Sequence, residues 1–204
     1  MFVVEIAAAK GSGQDRVRVI EIDGGLVIAL ADGAGGTGHG AVAADTIVAA
    51  IGGELRTAVG CCELIEHLDT ELDGGQSTAV VLVVGDNIVG ASVGDSGAWL
   101  IRELEVVDLT HAQQRKPLVG DGCIAVPFEA AFDGVLLVAS DGLLRYATRD
   151  AIARLVREQG LAAVRALVDL VRLPTGELQD DVSLVLVSAS RTWSGTARST
   201  AAPH

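Results

Sequence analysis

Apolar and polar positions along the chain fall into short strand-like runs interrupted by two blocks of helical spacing. Residues 2–8, 17–22 and 26–31 are rich in Val, Ile, Leu and Ala. They are separated by Gly11-Ser12-Gly13 and by Asp23-Gly24-Gly25, a turn of the kind that closes hairpins, and together they predict an antiparallel meander of three strands. Beyond the glycine-rich stretch 33–40, the proline-free, alanine-rich run 41–51 and the helical spacing of apolar residues over 54–72 predict two consecutive helices. Residues 78–84, 88–93, 98–101 and 105–109 return to strand and predict a second meander, with Gly85-Asp86-Asn87 and 102–104 as tight connections. The stretch 110–127 is irregular and polar and is predicted to be a surface loop, whereas 135–139 is a continuous apolar strand. Residues 143–146, 150–158 and 161–171 read as helical, and 183–188 as a last strand. From Arg191 onward, Ser, Thr, Ala and Gly dominate and predict a disordered tail after a single domain spanning 1–190.

Strands and helices occur in runs rather than in strict alternation, which predicts an α+β fold of antiparallel sheets with helices on their outer faces. Half of the 204 residues are apolar and only 3% are aromatic, so one sizeable core built from aliphatic side chains is expected. A formal net charge of −12 repels nucleic acid and anionic lipid and makes divalent cations the natural counter-charge. Cys61, Cys62 and Cys123 make an odd count without zinc-site spacing, so reduced thiols are expected rather than a disulfide framework. With no long uninterrupted apolar stretch, and with Glu5 inside the first apolar run, neither a spanning helix nor a signal peptide is predicted. A soluble, cytoplasmic monomer is the expectation.

Several apolar runs end in an acid beside a small residue: Ala31-Asp32-Gly33, Gly94-Asp95-Ser96 and Ser140-Asp141-Gly142, while Asp180-Asp181 precedes the last strand. An isolated Asp-Gly pair is ordinarily a turn. Repetition at strand ends is harder to explain that way, because two half-desolvated carboxylates about 4 Å apart repel by roughly 4 kcal/mol at an effective dielectric of about 20. Hard oxygen donors without cysteine and with little histidine suit Mg²⁺ or Mn²⁺, and a glycine after the acid lets an ion approach a backbone carbonyl. His39, His67 and His111 read as solvated or structural, His204 belongs to the tail, and the acidic run 63–73 reads as a solvated helix face.

In this order the pieces resemble the metal-dependent protein phosphatase family of the type 2C kind, a small bacterial-type single-domain member, over roughly residues 3–188. Its basic residue with an aspartate five positions later is matched by Lys10 and Asp15. Its Asp-Gly-any-Gly-Gly element is matched by Asp32-Gly33-Ala34-Gly35-Gly36, the strongest single correspondence. Ser77-Thr78, Gly94-Asp95-Ser96, Ser140-Asp141-Gly142-Leu143 and Gln179-Asp180-Asp181-Val182-Ser183 follow. The resemblance implies a four-layer α-β-β-α sandwich holding two divalent cations, Mn²⁺ or Mg²⁺. Asp32, the Gly33 carbonyl, Asp141 and Asp180 would be ligands and Asp32 would bridge both ions. Asp95 would serve a third ion, Asp15 would support the metal-bound water, and Lys10 would bind phosphate. Ser77 and Thr78 read as structural. The implied reaction is hydrolysis of phosphoserine or phosphothreonine in a protein by the acidified bridging water, without a phosphoenzyme. A partner Ser/Thr kinase would supply the substrate in a signalling role.

Two departures stand out. Arg145 occupies a place where the family commonly has an acid, four residues after Asp141, which weighs against a third ion. The segment 110–128 is shorter than the family's flap. Lysine at position 10, together with Gln14 and Arg145, motivates an alternative, a weak or inactive phosphoprotein-binding module on the same fold. Gly94-Asp95-Ser96-Gly97 also resembles a trypsin-like nucleophile motif, but His39 and His67 do not sit in a matching signature. Gly33, Gly35 and Gly38 satisfy a dinucleotide fingerprint, but Asp32 would then face a pyrophosphate.

Overall fold

The computed structural model describes residues 2–8, 13–35 and 39–189. In chain order the elements are β1 Phe2–Ala8, β2 Asp15–Ile22, β3 Gly25–Ala34, α1 His39–Ala50, α2 Ala58–Glu71, β4 Gln76–Ser77, β5 Ala79–Val84, β6 Asn87–Val93, β7 Gly97–Ile101 and β8 Val106–Asp108. They continue with β9 Val126–Ala131, β10 Val135–Ala139, α3 Asp141–Leu144, α4 Arg149–Gln159, a 3₁₀ turn Gly160–Ala163, α5 Val164–Leu170 and β11 Val182–Ser188. One antiparallel sheet has the order β2-β3-β5-β6-β9, with β4 paired to β3, and the other has the order β1-β11-β10-β7-β8.

Side-chain alternation along the central strands explains the four layers. Ile28 and Leu30 of β3 point inward with Val80 and Leu82, against Leu100, Leu136, Val138 and Val185 of the other sheet. The intervening Val27 and Ala29 face outward onto Ile47 of α1 and Ile65 and Leu68 of α2. In the second sheet Leu137, Leu184 and Leu186 turn outward onto Ile152 and Val156 of α4 and Leu167 of α5. A strand covered on both faces has no polar side, hence the unbroken apolar runs at 26–31, 79–84, 135–139 and 184–187. The α+β sandwich with helices on both outer faces agrees with the sequence expectation.

Neither predicted meander exists as such. β2 and β3 form the expected hairpin, but β1 pairs with β11 in the opposite sheet. In the same way β5 and β6 pair with each other, whereas β7 and β8 belong to the other sheet. Turn chemistry fixes only a local pair, and a strand that is apolar on both faces suits either sheet equally. The predicted surface loop 110–127 is also corrected. Leu118, Val119, Cys123 and Ala125 within it are buried, and residues 126–131 form β9 along β6. Pro127 disguised that strand, and an edge strand is where proline is tolerated. The second helix begins at Ala58 rather than residue 54, because the Thr57 side chain accepts a hydrogen bond from Gly60 N at 3.0 Å and caps it. The tail from residue 191 lies outside the described residues. Among the described residues no helix is long and apolar enough to cross a membrane.

Register brings the acidic strand ends together. Ala139 at the end of β10 pairs with Gly97 on one side and Leu184 on the other. The segments 95–96, 140–141 and 180–182 therefore share one edge of their sheet. In the other sheet Asp15 pairs directly with Asp32.

Candidate metal centre

Asp32 is fixed by its own backbone. Its N–H donates to Thr78 Oγ1 at 3.0 Å, and its carbonyl accepts from Thr78 N at 2.9 Å and Ser77 Oγ at 3.0 Å. Thr78 Oγ1 in turn lies 2.8 Å from Ser96 Oγ. Ser77 and Thr78 are therefore structural, as read from the sequence. Ser96 is fully buried in this network, which removes it as an exposed nucleophile.

The two sheets are stitched at the same end. Gln14 N donates to Asp181 Oδ2 at 2.5 Å, and Gly33 N donates to Gln14 O at 3.4 Å. Ser140 N donates to Ser183 O at 2.9 Å, and Ser183 N donates to Ser140 Oγ at 3.0 Å. Gly142 is packed so closely on the Asp181 carbonyl that a Cβ there would overlap it, and Gly33 is packed in the same way on the Gly40 carbonyl at the start of α1. Glycine is required at both places by close approach. The turn carrying Asp141 thus lies against the Asp180-Asp181 turn, which is tied through Gln14 to Asp15 and Asp32.

Burial and mutual charge raise the carboxylates together. Burial first, then the charges of Asp15, Asp141 and Asp180, push Asp32 up to about 9. Burial, followed by Asp95 and Asp180, raises Asp141 to about 6, with Arg145 partly opposing. Asp15 is also raised, chiefly by burial; the Ser140 and Ser183 hydroxyls nearby oppose this in part, while the Asp181 charge adds to it. Neither Asp15 oxygen has a well-aligned hydrogen-bond partner, although the residue is buried. A buried, orphaned carboxylate facing other acids is costly unless a cation or an ordered water completes it.

The donor set fits hard divalent cations. Among the described residues no three His, Cys, Asp or Glu side chains converge as a ready-made cage. Mg²⁺-type ions need no such cage, since they keep several waters and bind through one or two carboxylates each.

Of the predicted site residues, Asp15, Asp32, Gly33, Asp141 and Asp180 gather at this end, Asp180 being exposed on its turn. Lys10 and Gly36 lie outside the described residues. Asp95 sits between β6 and β7, ion-paired to Arg115 at 2.6 Å. Beside it opens a cleft of about 410 Å³ lined by Asp95, Asp141, Trp99, His111, Arg115 and Arg145. Sequence reasoning did not single out Asp181 as the acceptor of Gln14 N, nor Arg115. For Asp181 the doubled acid before β11 was a usable signal; for Arg115 there was none.

No protein-family model and no curated protein matches the sequence. Solved structures do. A bacterial serine phosphatase variant superposes with a TM-score of 0.82 at 19% identity, covering 93% of this chain and 99% of that one. The S. agalactiae serine/threonine phosphatase gives 0.77 at 19%, covering 91% and 98%. The catalytic domain of the serine/threonine protein phosphatase PstP, in complex with two manganese ions, gives 0.71 at 18%, covering 90% and 96%. At these identities the likeness establishes the fold, which this chain shares with bacterial serine/threonine phosphatases over nearly its whole described length.

Proposed function

We propose that the chain is a metal-dependent protein serine/threonine phosphatase of the type 2C kind. The observation that carries this reading is that Asp15 and Asp32 sit opposite each other on β2 and β3, both raised mainly by burial, with Asp141 and Asp180 of the other sheet near enough to push Asp32 up further. The fold shared with phosphatases, one of them holding two manganese ions, supports it.

Asp32, Asp141, Asp180 and the Gly33 carbonyl would hold two divalent cations, Mn²⁺ or Mg²⁺. When bound, these supply an acidified water as nucleophile and positive charge for the phosphoryl oxygens. The chain's own residues do the positioning. Ser77 and Thr78 fix the backbone of Asp32, so its carboxylate is presented without reorganisation. Asp15, its cross-strand neighbour, would support the metal-bound water. Lys10 would bind a phosphate oxygen. The cleft beside Asp95 and Asp141 offers room for the phosphorylated residue and its neighbours. No side chain is required to carry the phosphoryl group.

The test is Mn²⁺-dependent hydrolysis of a chromogenic phosphate ester and of a phosphothreonine peptide, with a chelator control. We expect turnover that the chelator abolishes. Asp32→Ala should lose more than about 100-fold, beyond what removal of a ligand's outer-shell partner typically costs. Full activity in Asp32→Ala, or no turnover in any metal, would overturn the assignment, and the latter would favour a binding module on this fold.

A further inference from the structure

The cleft beside Asp95 and Asp141 carries two arginines, Arg115 and Arg145, the second at a place where the resemblance implied an acid. The segment following β8 is strapped to the turn 94–96 residue by residue. Gly94 N donates to Gln114 O at 2.9 Å, and Gln113 Nε2 donates to Ser96 O at 2.6 Å. Between them, Arg115 Nη2 reaches Asp95 Oδ2 at 2.6 Å. Further along, Ser77 and Val119 exchange backbone hydrogen bonds at 3.0 and 3.1 Å. Arg145 Nη1 stands 3.8 Å from Asp141 Oδ2 across the same cleft.

We infer that Arg115 is a built-in cation that occupies the outer position beside Asp95, so that this protein takes two divalent ions and has no third. The inference rests on the two-ion reading above and adds a statement about which charges complete the site. An exposed ion pair contributes little to stability, and Arg115 is 72% exposed in its side chain, so stabilising the fold is a poor account of it. Its placement is not that of a freely swinging surface arginine, because Gln113 and Gln114 just before it and Val119 four residues after it are hydrogen-bonded to the core. The Asp95 oxygen that faces the cleft is already charge-compensated by a guanidinium, which also excludes a hydrated cation from the same space. Arg145 adds repulsion at Asp141, the other carboxylate such an ion would need.

Calorimetric titration with Mn²⁺ counts ions per chain without reference to turnover. The wild type should bind two. Arg145→Glu alone should also bind two, because Arg115 still holds Asp95. Arg115→Gln combined with Arg145→Glu should bind a third, weaker ion, which Asp95→Asn added to that pair removes. Three ions in the wild type or in Arg145→Glu, or only two in the folded double variant, would overturn the inference while leaving the phosphatase reading intact. No Mn²⁺ in any of these proteins would overturn both. Arg115 and Arg145 are exposed, so circular dichroism should report native folding in each variant.

Discussion

Asp69 shows how a single carboxylate can organise a loop at a distance from the candidate centre. Its Oδ1 accepts from four successive backbone N–H groups, those of Gly120 at 2.7 Å, Asp121 at 3.2 Å, Gly122 at 3.1 Å and Cys123 at 3.1 Å. Burial would raise its pKa, but these donors outweigh it and hold the carboxyl below its ordinary value of 3.8. Because the folded value is depressed, the stabilisation is fully present above the unfolded value and is lost as pH falls through the folded one. Asp69→Ala should therefore cost about 1.5 kcal/mol in denaturant unfolding near neutral pH. The deficit should shrink below roughly pH 4. At the same scale, burial pushes the Cys61 and Cys123 thiols up to about 12 and raises Cys62, whose neighbours Glu66 and Glu63 add to the effect. A thiol-specific chromogenic reagent at neutral pH should react with the native protein at least about 10-fold more slowly than with a free cysteine. Rapid labelling of Cys61 or Cys123 would contradict their burial.

Elements carry the site through close packing that single residues do not reveal. The turn opening α3 can lie on the turn before β11 only because position 142 has no side chain. Gly142→Ala should destabilise by about 1–3 kcal/mol or more, since the methyl group meets a backbone carbonyl rather than a movable side chain. Thermal unfolding would measure this, and an unchanged midpoint would contradict the geometry. This is also the scale at which sequence and structure part. Most strands were legible because aliphatic runs and glycine turns are local signals, and Asp32, Asp141 and Asp180 stood out in the sequence because each ends or precedes such a run. What was not legible is non-local. Asp69 finds its donors 51 residues away and Arg115 its partner 20 residues away. Pro127 hid β9, and nothing in a hairpin's turn says which of two sheets it joins.

For the whole molecule, the two stacked sheets each bring a pair of acids to the same end. Asp15 and Asp32 come from one sheet, and Asp141 and Asp180 from the ends of strands in the other. Their repulsion is a standing cost in the ion-free protein, expressed in the raised values of Asp32 and Asp141. Folding energy from three aliphatic layers maintains this arrangement, and bound cations would relieve it. The net charge of −12 is in keeping with a chain that recruits cations rather than polyanions. The most direct measurement is anomalous X-ray diffraction at the manganese edge from crystals grown with Mn²⁺. Two peaks about 3.5–4 Å apart, both contacting the Asp32 carboxylate and flanked by Asp141 and Asp180, are the predicted result. A map with no peak there, or with manganese bound only away from Asp32, would contradict it.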